Sequence, residues 1–186
     1  AQSAAEAINA AGTMRVKENS DFLAIVNANL GGAKSNLFTE YEVSQIVSSP
    51  ENGEITKEVE ITYKNIKKAD NCNLEAGKLC LNSTLRDWTR LYLPANSKLV
   101  EAQGFTEEAK EYEENGFHVI DGFFILEPLG QAKLKLTYTV PYSDNETYRT
   151  KLWKQGGIDP IPTVMDVTGG QEEILVDKDT IYETPF

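Results

Sequence analysis

Hydrophobic and polar residues alternate along much of this chain, as they do in strands that bury one face. The clearest stretch alternates Leu134, Leu136, Tyr138 and Val140 with lysines and threonines, and residues 55–63 repeat the pattern. An alternation of period two places one set of side chains in a core and the other in water. The pattern therefore predicts β-strands.

Tight turns separate the predicted strands. Residues 52–53 and 115–116 are both Asn-Gly, the pair that best supplies the left-handed conformations of a two-residue hairpin. A further turn at residues 128–130 leads us to expect three antiparallel strands over residues 111–140. Further strands are expected over residues 21–27, 41–47, 88–93, 98–104, 148–154, 163–168, 173–176 and 177–186.

Many short strands at intervals of about 8–12 residues are typical of a sandwich. We therefore predict an all-β fold, an antiparallel β-sandwich with immunoglobulin-like topology, over a single domain at residues 20–186. The alanine-rich residues 4–11 predict a short N-terminal helical stub, so residues 1–19 are interpreted as the remnant of an upstream region. The acidic residues 106–114 are compatible with an edge strand or with a helical turn.

Charge narrows the range of partners. The 186 residues carry a formal net charge of −11, whereas nucleic-acid binding requires clustered lysine and arginine. The same balance disfavours electrostatic docking on an anionic membrane. No stretch approaches the roughly 20 apolar residues of a membrane span. We expect no nucleic-acid partner, and contact with a membrane only through an anchor outside this chain.

The chain has two cysteines, Cys72 and Cys80, which flank a short polar segment. We predict a disulfide between them, which would indicate an oxidising compartment; the alternative is two reduced thiols in a cytoplasmic protein. A zinc site would need four ligands, and His118 is the only histidine. We expect no metal ion and no cofactor.

Other candidate motifs do not assemble a catalytic site. Lys34-Ser35 resembles the end of a phosphate-binding loop, but Ala33 stands where that loop needs glycine. His118 and Asp121 lie on opposite faces of a predicted strand, so they do not form a relay. The acidic pairs Asp144/Glu146 and Asp177/Asp179 do not have the spacing of a calcium loop.

Sugar stacking by aromatic side chains and isopeptide bond formation are two further functions that a sandwich of this kind can have. Trp88, Trp153 and the tyrosines are suited to stacking on sugars, although most should pack in the core. Lysine and asparagine on neighbouring strands of surface sandwiches can form an isopeptide bond near a buried carboxylate. No residue pattern in the sequence singles out such a pair.

The segment Asp21–Asn36 resembles a bacterial family catalogued as domain of unknown function 4012. Similar runs follow in order at residues 41–43, 61–65, 90–99, 122–128, 136–141 and 154–157. The resemblance implies the C-terminal part of a membrane-anchored extracytoplasmic protein. The family has no established activity, so it implies no catalytic residues. Its most recognisable positions, of unknown role, are Asn27, Asn29, Gly31, Gly32, Lys34 and Ser35.

We therefore predict a non-catalytic extracytoplasmic β-sandwich module of a bacterial cell-envelope protein. It would be structural, or would bind a protein or a glycan at the cell surface. The alternative is an enzyme, or an accessory domain of one, that acts on cell-wall or surface polysaccharide. A deep cleft with converging carboxylates would favour the enzyme, and exposed coplanar aromatic side chains would favour glycan binding. An unpaired edge strand would favour protein assembly.

Overall fold

The computed structural model describes residues 14–15, 20–31 and 33–186. Within these residues the chain forms twelve strands: β1 (Asp21–Asn29), β2 (Thr39–Val47), β3 (Glu54–Asn65), β4 (Leu85–Pro94), β5 (Lys98–Gln103), β6 (Lys110–Glu114), β7 (Phe117–Leu126), β8 (Gln131–Pro141), β9 (Thr147–Trp153), β10 (Ile161–Val167), β11 (Gly170–Val176) and β12 (Thr180–Pro185). A short 3-10 helix spans Ser35–Phe38. The helical stub predicted within residues 1–19 lies largely outside the described residues and stays a prediction.

The strands form two six-stranded sheets that pack face to face. The β1 sheet has the order β12-β9-β1-β4-β7-β6, and the β2 sheet has the order β11-β10-β2-β3-β8-β5. Adjacent strands are antiparallel except for β1 with β9 and β2 with β10, one parallel pair in each sheet. The predicted β-sandwich is confirmed. Its two parallel pairs join strands far apart in sequence, where no hairpin fixes the direction.

The turn residues adopt the expected backbone conformations. Asn52 and Gly53 have φ angles of 53° and 80°, and Asn115 and Gly116 have φ angles of 52° and 80°. Asn115-Gly116 is the two-residue hairpin that joins β6 to β7 directly. Asn52-Gly53 forms the same turn between the bridged residues Glu51 and Glu54, within the longer connection from β2 to β3. The predicted hairpin near residue 169 is also present, between β10 and β11.

The turn at residues 128–130 has a different role from the one predicted. Leu129 has a φ of 59°, and the turn carries the chain from β7 in one sheet to β8 in the other. In the structure β8 pairs with β3 and β5, while β7 lies between β4 and β6. The three strands over residues 111–140 are therefore divided between the layers, because the edges of β7 are already occupied.

Residues 106–114 contain an edge strand. Lys110–Glu114 pairs with β7 and ends the β1 sheet. Its charged side chains face a free edge, an arrangement that discourages pairing with another chain. The alternative of a helical turn is excluded.

The core lies between the sheets and is continuous from one end to the other. The residues that fill it include Leu23 and Ile25 of β1, Ile61 of β3, Leu91 of β4 and Leu136 of β8. A smaller apolar cluster on the outer face of the β1 sheet contains Phe22, Ala24, Tyr92, Phe117 and Val119, with Met14 packed against it. Residues 21–25 are thus buried on both faces of the sheet.

Cys72 and Cys80 form the predicted disulfide in the exposed connection between β3 and β4. Hydrogen bonds that do not involve the cysteines also hold the base of this connection. The Asp70 carboxylate accepts from the backbone N–H groups of Leu81 and Asn82, at 3.1 and 2.9 Å. No helix in the described part of the chain is long and apolar enough to cross a bilayer.

Non-reducing mass spectrometry should find the chain lighter by two hydrogen atoms than its dithiol form. Replacing both cysteines with serine should lower the free energy of unfolding by about 2–3 kcal/mol, because the open loop gains entropy in the unfolded state. Asp70→Asn, which leaves the sulfur bridge intact, serves as a control for local loop damage. Two alkylatable thiols in non-reduced protein would contradict the expectation.

Candidate functional site

Polar side chains line a cleft at one end of the sandwich, where the two sheets separate. The cleft has a volume of about 620 Å³. Its walls come from the end of β1, the start of β2, Asp87 of β4 and the connection between β9 and β10 at residues 155–160. Polar side chains from both sheets therefore line the same cleft.

Asn27 organises the inner wall of the cleft. Its side-chain oxygen accepts hydrogen bonds from the Tyr63 hydroxyl at 2.9 Å and from the Thr89 hydroxyl at 3.0 Å. Its backbone N–H donates to the Gln155 side-chain oxygen at 2.9 Å, and its carbonyl accepts from the Gln155 side-chain nitrogen at 3.0 Å. These bonds fix the Asn27 amide and tie the 155–160 connection to β1.

Asp87 is a buried carboxyl group in the same wall. It is 3% exposed and accepts hydrogen bonds from the backbone N–H of Ala28 at 3.2 Å and from the Thr89 hydroxyl at 3.3 Å. Burial raises the pKa of Asp87 to about 6, and the two hydrogen bonds only partly oppose that rise. The group therefore changes charge close to physiological pH.

Tyr41 brings a hydrogen-bond donor to the cleft. Its hydroxyl oxygen is buried and has no hydrogen-bond partner among the described residues. Burial, reinforced by the nearby Asp87 carboxylate, raises the pKa of Tyr41, so the hydroxyl keeps its proton. The ring lies 5.2 Å from that of Tyr63, which in turn lies 4.4 Å from that of Phe124. These ring contacts hold the Tyr41 side chain in place.

The rim of the cleft is charged. Glu40, Glu42 and Asp159 line it, and Lys64 donates to the Glu42 carboxylate at 3.2 Å. The inner wall is thus mostly hydrogen-bonding groups, and the outer part carries carboxylates. Such a set of acceptors with a few donors suits a polar, hydroxyl-bearing ligand.

The loop singled out by the family resemblance lies beside this cleft. Asn27 and Asn29 line it. The Asn29 side chain accepts from the backbone N–H of Gly31 at 2.8 Å and donates to the carbonyl of Ala33 at 2.8 Å, which closes the loop on itself. A side chain at residue 31 would approach Arg86 and Thr84 backbone atoms at 3.1 Å, so glycine permits a close approach to the start of β4.

The other loop positions have structural contacts. The Ser35 hydroxyl donates to the carbonyl of Ser83 at 2.7 Å and accepts from its N–H at 3.0 Å. The Lys34 N–H donates to the carbonyl of Leu81 at 2.9 Å, and its side chain is exposed. Gly32 lies outside the described residues. Along the chain this loop connects β1 to the 3-10 helix, and its hydrogen bonds hold it against the segment that leads into β4.

The other candidate residues lie elsewhere. His118 lies between the carboxylates of Glu111 and Glu113, at 3.0 and 3.2 Å, near the β6 edge. Asp144 accepts from the N–H groups of its own turn, and Asp179 pairs with Lys151 at 3.0 Å. Among the residues the structure describes, no three His, Cys, Asp or Glu side chains are grouped to hold a metal ion.

The two candidate tryptophans, Trp88 and Trp153, both lie on the outer face of the β1 sheet. Trp88 stacks on Phe123 with ring centroids 6.4 Å apart, and the Arg90 guanidinium lies 4.6 Å from the Trp88 ring. Trp153 packs against the apolar cluster that contains Phe22. Because Arg90 covers Trp88, the outer face offers less free aromatic surface than the sequence suggests.

Sequence reasoning did not single out Asp87, Tyr41 or Gln155 as site residues. Asp87 carries a signal that could have found it. It occupies an inward position of β4, in line with Leu85 and Leu91, where a lone carboxyl group is unusual. Tyr41 and Gln155 carry no such signal, because their proximity depends on how the two sheets stack.

No family model and no curated protein matches the chain. Among solved structures, it is similar to a putative nutrient-binding protein from Legionella pneumophila subsp. pneumophila. The two share 10% identity with a TM-score of 0.47, and the match covers 78% of this chain and 54% of that chain. A two-domain M1 zinc metallopeptidase matches with 13% identity, 69% and 32% coverage and a TM-score of 0.35. A GH20 exo-β-N-acetylglucosaminidase from Vibrio harveyi matches with 15% identity, 75% and 18% coverage and a TM-score of 0.29. The chain spans about half or less of the length of these proteins.

Proposed function

We propose that this chain is a non-catalytic module of an extracytoplasmic protein of the bacterial cell envelope, and that it binds a glycan in the cleft. The observation that carries the proposal is the inner wall, where Asn27, Asp87 and Tyr41 present fixed polar groups from both sheets. Sugar hydroxyls both donate and accept hydrogen bonds, and this wall offers acceptors beside a donor that has no partner of its own among the described residues.

The cellular setting rests on two further observations. The Cys72–Cys80 disulfide is stable in an oxidising compartment and favours a location outside the cytoplasm. The resemblance to the domain of unknown function 4012 family favours a membrane-anchored protein, with the anchor outside these residues. The immunoglobulin-like topology belongs to this proposal, supported by a chain that crosses repeatedly between the two sheets.

A glycan array tests the proposal directly. The wild-type chain should bind a set of cell-surface or cell-wall saccharides, and Tyr41→Phe and Asp87→Asn should each weaken that binding by about tenfold or more, because each removes one buried hydrogen bond to the ligand. Tyr112→Phe is the matched control: it removes a hydroxyl that bonds Asp121, away from the cleft lining.

The control variant should bind as the wild type does. Binding that survives both cleft variants and is lost in Trp88→Ala would move the site to the outer face of the β1 sheet. If no saccharide on the array bound the chain, the glycan proposal would be wrong.

One observation favours the alternative, an enzyme acting on cell-wall or surface polysaccharide. A carboxyl group with a pKa raised to about 6 has the property of a general acid, and Glu40 and Glu42 line the same cleft. Release of new reducing ends from polysaccharide, abolished in Asp87→Asn with the fold intact, would establish this function in place of the binding module.

A further inference from the structure

A lysine and an aspartate meet inside the core, at the end of β1 opposite to the cleft. Lys57 of β3 and Asp21 of β1 are both 0% exposed, and the Lys57 ammonium nitrogen contacts Oδ2 of Asp21. The two strands belong to different sheets, so the contact spans the sandwich. Lys57 occupies an inward position in line with Ile55 and Val59, which are fully buried apolar residues.

The surroundings offer little to stabilise two charges. Besides Lys57, the group that bonds the Asp21 carboxyl is the Tyr148 hydroxyl, which donates to Oδ2 at 2.5 Å. The other oxygen, Oδ1, is buried with no partner among the described residues, and so is the hydroxyl of Tyr138. The Lys57 nitrogen lies 5.8 and 5.9 Å from the ring centres of Tyr138 and Tyr148.

The contacts leave the buried pair incompletely hydrogen-bonded. A charged pair in an apolar interior loses its hydration, and that loss of free energy is offset only when protein groups satisfy every lone pair and proton. Here one carboxyl oxygen is unsatisfied. A proton moved from the ammonium group to the carboxylate gives a free amine beside a carboxylic acid, which are the two partners of an amide condensation.

We propose that Lys57 and Asp21 form an intramolecular isopeptide bond that cross-links the two sheets. The contact between the amine nitrogen and Oδ2 places the nitrogen next to the carboxyl carbon, which is one bond further on. Burial holds both groups in this arrangement and keeps bulk water away, so proximity replaces an external activating group.

The atoms balance without any oxidant or co-reactant. The nitrogen lone pair of Lys57 bonds to Cγ of Asp21, and the carbonyl electron pair moves onto Oδ2. That electron pair then re-forms the carbonyl, the bond from Cγ to the Oδ1 hydroxyl breaks, and this hydroxyl leaves as water with one proton from the nitrogen. One amine and one carboxylic acid give one amide and one water.

Tyr148 acts on the reacting atoms as a donor. Its hydroxyl bonds Oδ2, the oxygen that gains negative charge in the tetrahedral intermediate and that stays as the amide oxygen. Burial and the Asp21 carboxyl raise the pKa of Tyr148, so its proton is retained. The departing oxygen is Oδ1, which no protein group holds among the described residues.

The mass of the intact chain tests the proposal. After denaturation and reduction of the Cys72–Cys80 bridge, the wild-type chain should be lighter than its sequence mass by one water. Lys57→Arg and Asp21→Ala should each show the full mass, and Asp21→Asn should lose ammonia in place of water because the same bond forms with a different leaving group. Tyr148→Phe should reduce the cross-linked fraction, whereas Tyr142→Phe, whose hydroxyl bonds the carbonyl of Thr147, should not.

Peptide mapping locates the bond. Trypsin should leave the chain uncut after Lys57 and release a branched peptide that joins the Asp21 and Lys57 segments. A wild-type chain at its full sequence mass would overturn the proposal. A loss of water mapped elsewhere, for example to a cyclic imide at Asp121-Gly122, would overturn it as well.

Discussion

The double variant Asp21→Ala/Lys57→Met should be more stable than Asp21→Ala alone by about 3–5 kcal/mol in free energy of unfolding. Asp21→Ala leaves the Lys57 ammonium group without its partner in a site that is 0% exposed. An unpaired buried charge must lose its hydration or its proton, and both cost stability. Methionine removes the charge and still fills most of the lysine volume.

Neither variant carries both an amine and a carboxyl group, so the comparison does not depend on a covalent bond between them. Urea unfolding at one pH, with the slope checked for constancy, measures the difference. The matched control is the exposed pair Lys135–Glu58 on the outer face of the β2 sheet, with a separation of 2.9 Å and side chains 48% and 41% exposed.

For the exposed pair, the free energies of unfolding of Glu58→Ala and Glu58→Ala/Lys135→Met should differ by less than about 1 kcal/mol, because solvent screens the remaining charge. A similarly small difference for the buried pair would mean that Lys57 reaches solvent. The placement of this residue in the core would then be wrong.

The strands were predictable because their signals are local. Alternation marks β3 and β8, and the φ angles of Asn52 and Asn115 follow from the Asn-Gly pairs. The division of β7 and β8 between sheets was not predictable from either segment. It depends on the strands that flank β7, which come from elsewhere in the chain.

The alternation of apolar and polar residues also indicates part of each polar region of the core, the one at Lys57 and the one at Asp87. Lys57 and Asp87 interrupt apolar inward positions of β3 and β4, so each could have been flagged from the sequence. Their partners could not. Asp21 reaches Lys57, and Tyr41 approaches Asp87, only because the β1 and β2 sheets stack in one particular alignment. The family resemblance directed attention to Asn27 and Asn29, which do line the cleft.

Asp87 should make the wild-type chain more stable, relative to Asp87→Asn, as the pH falls. Its pKa is raised by burial from 3.8 to about 6 in the folded chain and returns to the ordinary value on unfolding. The folded state therefore holds a proton that the unfolded state releases between these values. The cost of burying the carboxylate is fully present above the folded pKa and is removed on acidification.

Between about pH 7.5 and pH 4.5, the free energy of unfolding of the wild type should rise by about 2 kcal/mol relative to that of Asp87→Asn. Chemical unfolding of both proteins at several pH values measures it, since the contributions of the other acidic groups cancel in the difference. Asparagine keeps the side-chain oxygen that accepts from Ala28 and Thr89, so the change isolates the titrating proton.

Asp144→Asn provides a control of opposite sign. Two backbone N–H groups lower the pKa of Asp144, so its contribution is present at neutral pH and is lost as the pH falls through the folded value. The free energy of unfolding of the wild type relative to Asp144→Asn should therefore decrease on acidification. The free energy of unfolding of the wild type relative to Asp87→Asn should increase. Parallel pH profiles for wild type and Asp87→Asn would show that the Asp87 carboxyl is hydrated in the folded chain, and the inner wall of the cleft would then be open to water.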